Sequence, residues 1–63
     1  MNAKRREALE NLRVELEQLR DEEQEAFDNL SENLQGSERG QKMEEAIDYL
    51  QEAVDAIDSA INV

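Results

Sequence analysis

The sequence predicts an all-α fold: an antiparallel two-helix coiled-coil hairpin that assembles further, into a four-helix bundle or a higher oligomer. Three observations carry this. Proline is absent and the only two glycines, Gly36 and Gly40, fall in one short patch, so the chain has a single break. On either side the sequence is rich in Glu, Leu, Ala, Gln and Arg, all strong helix formers. Within both halves, apolar residues recur in alternating steps of three and four, the period of a coiled-coil seam.

A first helix is expected over about residues 3 to 34, loose in its last turn after Leu30. Its seam runs through Leu9, Leu12, Leu16, Leu19, Ala26 and Leu30, with Glu23 in the one slot that should be apolar. Phe27 widens the stripe on one side and Val14 lies off it. A turn is expected at about residues 35 to 37, with Gly36 as a left-handed helix terminator and Ser37 as the next N-cap. A second helix then spans about residues 38 to 62, with Glu38 near the positive end of its dipole. A connection this short sets the helices side by side and antiparallel.

The second helix carries three columns at seven-residue spacing: Met43, Leu50 and Ile57; Ile47, Val54 and Ile61; Ala46, Ala53 and Ala60. Together they are wider than a two-helix seam requires. The alanine column admits a close backbone, and the Ile47, Val54 and Ile61 column is expected to pack against another subunit. Sixty-three residues give one domain with a small core. Without cysteines or a metal cluster, oligomerisation is the remaining staple for so small a scaffold, and a dimer of hairpins is the preferred assembly.

Seventeen acidic against seven basic residues give a formal charge of -10, which repels phosphate backbones and anionic membranes. Neither direct nucleic-acid binding nor membrane binding is expected, and no apolar stretch approaches the ~20 residues of a membrane span. The basic start, Lys4, Arg5 and Arg6, has no apolar run behind it, so it does not read as a signal peptide. A cytoplasmic protein is expected. In the hairpin this basic segment is expected to lie near Asp55 and Asp58.

Catalysis finds little material. There is no His, Cys or Trp, and no nucleophile–base pair or phosphate-binding glycine loop can be assembled. No cofactor is implied and the chain is not expected to be an enzyme. Asp21, Glu23, Glu25, Phe27, Asn29 and Glu32 fall on positions 1, 3, 5, 7, 9 and 12 of a calcium-binding loop, but Ala26 stands where its turn needs glycine. The acid-rich run reads as a solvated helical face. Glu44, Glu45 and Asp48 distantly resemble the magnesium-binding acids of all-helical nucleotide pyrophosphatases, which need more helices around a pocket than this chain has.

Binding is better supplied. Glu44, Glu45, Asp48, Glu52 and Asp55 form an acidic face without a cation; like charges at helical spacing weaken a helix, so the face serves solubility or docks a basic partner. Glu23 either snorkels at the seam edge or specifies register. Tyr49 either covers a seam or, if exposed, is an interface anchor.

The segments Asp21–Leu30, Leu34–Gln35, Ser37–Gly40 and Glu44–Asp48 together resemble a group of uncharacterised small acidic helical, coiled-coil proteins of bacteriophages and prophages. The resemblance covers about residues 5 to 58 and brings no catalytic or ligand residues with it. It implies a viral setting, where small binding proteins redirect or block host machinery. The leading expectation is thus an oligomeric, phage-encoded modulator or inhibitor of a host protein, with a basic host or phage protein as target in the host cytoplasm. A structural assembly piece without a host target, or an oligomer sequestering a small ligand such as a nucleotide, are the alternatives.

Overall fold

The computed structural model describes all residues, Met1–Val63, as a helical hairpin 48 Å long and 15 by 12 Å across. Helix α1 spans Ala3–Asp28, a short α2 spans Glu32–Gln35, and α3 spans Glu38–Ile61. No strand is present, and no helix is long and apolar enough to cross a membrane. Helix α1 opens on an N-cap that sequence reading passed over: the Asn2 side chain accepts from the Arg5 N–H at 2.8 Å.

The first helix does not continue to Leu34. It ends at Asp28, and Ser31 starts a new turn by accepting from the Leu34 N–H, a local bond that competes with helix continuation. Gln35 then reaches back, its Nε2 donating to the Phe27 and Leu30 carbonyls at 3.2 Å each. The Phe27 carbonyl, in the last turn of α1, also accepts from the Leu30 N–H, and the Leu30 carbonyl lies just beyond the helix end. Ser37 is the N-cap of α3 as the sequence predicts, accepting from the Gly40 N–H, with Glu38 in the first turn.

Neither glycine is the left-handed terminator expected of Gly36. Gly36 has φ of -81°, an ordinary right-handed conformation, so it is no left-handed terminator. The constrained glycine is Gly40, which is buried because α2 crosses directly over it. A Cβ built there would stand 2.5 Å from the Leu34 carbonyl oxygen and closer still to that of Gln35.

Gly40 also decides which face of α3 turns inward. It lies one heptad before Ile47, in the same column as Val54 and Ile61. With the corner clamped onto Gly40, that column faces α1, and Val54 and Ile61 become the core at 7 % and 6 % exposure. The expectation that Ile47, Val54 and Ile61 remain for another subunit is therefore corrected: Val54 and Ile61 are taken up within the hairpin, and Ile47 is half-buried beside Phe27.

The seam of α1 is rotated in the same way. Leu9, Leu16, Glu23 and Leu30 are half-buried as expected, but their companions are Arg6, Arg13, Arg20 and Phe27. Leu12 and Leu19 stay exposed at 50 % and 53 %, as does Ala26. Arginine serves here because its long stem covers apolar surface while the guanidinium reaches a polar edge.

Candidate functional site

Two cross-helix bonds fix the register and mark one flank of the hairpin. Arg13 Nη1 donates to Asp58 Oδ1 at 2.5 Å, and Arg20 Nη1 donates to Gln51 Oε1 at 2.7 Å. The donors are one heptad apart on α1, the acceptors one heptad apart on α3, so the helices run in step. Gln51 passes the ladder on to Asp55 at 3.0 Å, and Arg13 and Arg20 also pair with Glu17 and Asp21. The next rung would join Phe27 and Glu44, and these line one surface depression with Gln24, Ile47 and Asp48.

The basic N-terminal segment does not reach Asp55 or Asp58, as expected of it; Arg13, further along α1, takes Asp58. Arg6 precedes Arg13 by one heptad and keeps its Nε enclosed without a hydrogen-bond partner. Sequence reading missed this arginine column because it scored apolar residues alone. The seven-residue spacing of Arg6, Arg13 and Arg20 was its signal.

The opposite flank follows from helix geometry. Two antiparallel helices carry corresponding sides of their wheels on the same flank, since their residues wind in opposite senses when viewed from one end. Arg13 and Arg20 lie to one side of the Leu9–Leu16–Leu30 column, as Gln51 and Asp58 lie to one side of Met43–Leu50–Ile57. On the other side of those columns stand Leu12, Leu19 and Ala26 on α1, and Ala46, Ala53 and Ala60 on α3. These six therefore share the second flank. Between them run the half-buried leucines of α1 and the half-buried Met43, Leu50 and Ile57. Tyr49, 61 % exposed, stands at its α3 rim rather than over the α1–α3 seam, so the covering role expected for it is not met within the hairpin.

The acidic candidates lie elsewhere. Glu44, Glu45, Asp48, Glu52 and Asp55 are all exposed, and none has an ion-pair partner. Glu45 and Glu52 occupy the side of α3 turned away from α1, with Asp48 and Asp55 beside them. Residues Asp21–Asp28 are continuous helix, and no group of three or more acids is arranged to hold a metal ion.

Glu23 is half-buried within the leucine column, among residues that face α3. A leucine there would bury an apolar side chain in place of a carboxylate, and Glu23→Leu is expected to stabilise the fold by about 1–2 kcal/mol. Thermal unfolding would show a midpoint several degrees higher; an unchanged or lower midpoint would mean that the carboxylate has a structural role.

Comparison with protein-family models, with curated proteins and with solved structures gives no match.

Proposed function

We propose that this chain is a self-associating protein-binding module: it assembles through its apolar flank and presents its unpaired acidic surface to a basic protein. The observation that carries this is the mismatch between core and surface. Only Val54 and Ile61 are buried among the apolar residues, while Leu12, Leu19 and Ala26 stay exposed and Ala46, Ala53 and Ala60 only half-buried on one flank of a molecule of charge -10. Exposed patches of this kind mark interaction sites. The acids sit on other faces, so assembly and docking would not compete for one surface. The setting implied by the phage-protein resemblance is a modulator or inhibitor of a host protein.

A tagged chain retained on resin and challenged with host lysate at low and high salt tests this reading. The expected result is capture of a basic protein that is released at high salt, because exposed ionic contacts are screened. Asp48→Lys, Glu52→Lys and Asp55→Lys together are expected to abolish that capture while the helical content is retained. Capture that survives the charge reversal would leave the acidic face with solubility as its only use. Self-association without any captured protein would support a purely structural assembly piece.

A further inference from the structure

The uncovered flank has a shape and a charge pattern that specify its occupant. Along α1 it presents a ridge of large side chains, Leu12 and Leu19, that ends in Ala26; along α3 it presents the small column Ala46, Ala53 and Ala60. We propose that a second copy of the chain covers this flank in crossed order, α1 of each copy lying over α3 of the other, about a two-fold axis parallel to the helices. The proposal rests on the self-association reading above and adds the geometry of the pairing.

Steric fit favours crossing. The register set by Arg13–Asp58 and Arg20–Gln51 places Leu12 level with Ala60, Leu19 with Ala53 and Ala26 with Ala46. Such a two-fold axis keeps these heights, so each leucine of one copy meets an alanine of the other, and large fills small. All neighbouring helices are then antiparallel, as in simple four-helix bundles.

Charge excludes the other stacking. On the outer rim of α1 stand Glu15 and Glu22; on the outer rim of α3 stand Lys42, Tyr49 and Ala56. Crossing sets Glu15 level with Ala56 and Glu22 level with Tyr49 of the second copy, whose phenol can donate to the carboxylate. Laying α1 on α1 in antiparallel order would instead set Glu15 against Glu22 twice over. Like charges in direct opposition are unfavourable. The α3 rim lacks the carboxylates that a basic protein would seek, which makes a second copy the better fit to this flank. The broad side, 48 by 15 Å, amounts to about 700 Å² in projection, close to the ~800 Å² per partner of stable interfaces.

The chain has no cysteine, so single-site cross-linking reports the pairing directly. Leu19→Cys and Ala53→Cys chains, made separately, mixed and oxidised, are expected to give the mixed disulfide as the dominant dimer, and Leu12→Cys with Ala60→Cys the same. Disulfides need Cα atoms within about 7 Å, which the diagonal α1–α1 distance in a crossed bundle exceeds. Self-linked Leu19→Cys without the mixed product would overturn crossing in favour of like-on-like stacking. A sedimenting dimer in which neither pair forms a mixed disulfide would also overturn the geometry while leaving self-association standing. A monomer by sedimentation, with unaltered helicity by circular dichroism, would overturn both.

Discussion

Replacing Leu12 and Leu19 together by aspartate is expected to abolish assembly and, with it, most of the helical structure. Both leucines are half-exposed in the hairpin, so the proposed second copy would newly cover about half of each. Full burial of a leucine is worth about 1.5–3 kcal/mol, so the four leucines of a dimer supply about 3–6 kcal/mol. At 1.4 kcal/mol per tenfold, that loss alone weakens association about a hundred-fold or more, before the penalty of enclosing four carboxylates. The two-residue core of the hairpin leaves little to hold the helices once the second copy is gone. Sedimentation and circular dichroism at matched concentration check this. Val14→Asp is the control: Val14 is exposed on the outer side of α1, and that change is expected to leave mass and helicity unaltered. Equal damage from both variants would point to helix propensity rather than a lost interface.

Gly40→Ala is expected to destabilise the fold although alanine is the better helix former. Inside an ordinary helix this exchange stabilises by about 1 kcal/mol. At Gly40 the new methyl would overlap the Leu34 and Gln35 carbonyls, which belong to backbone and cannot rotate away. Overpacking against backbone costs about 1–3 kcal/mol or more, so the clash wins and the unfolding midpoint falls. Gly36→Ala is expected to do the reverse. Gly36 has a right-handed φ, and its Cβ would meet nothing nearer than 3.9 Å, so a gain of about 0.4–1 kcal/mol follows from the stiffer unfolded chain. Thermal melts of the two variants would separate this corner from one in which Gly36 is the indispensable residue.

That corner shows where sequence reading succeeded and where it stopped. The break between the long helices, the Ser37 cap and the antiparallel pairing all rest on local chemistry, and local chemistry was legible. Which glycine was constrained depended on α2 crossing α3, a tertiary contact that no local rule contains. The width of the apolar surface was legible too. Its division was not. The rotation of each helix is set by the clamp on Gly40 and by arginines reaching Asp58 and Gln51, so Ile47, Val54 and Ile61 turned inward and Leu12 and Leu19 turned out. A seam scored on apolar residues alone cannot see an arginine column that buries only its stems. Glu44, Glu45, Asp48, Glu52 and Asp55 were read correctly as exposed, because carboxylates without an ion-pair partner have nowhere else to go.

Sedimentation equilibrium of the unmodified chain over a range of concentrations tests directly whether a second copy covers the apolar flank. The expected mass is twice that of the 7.3 kDa chain, dissociating on dilution, with an unfolding midpoint that rises with protein concentration. Association is expected to tighten at higher salt, because two chains of charge -10 repel and salt screens that repulsion. A stable 7.3 kDa species with full helicity and a concentration-independent midpoint would mean that no second copy covers the flank.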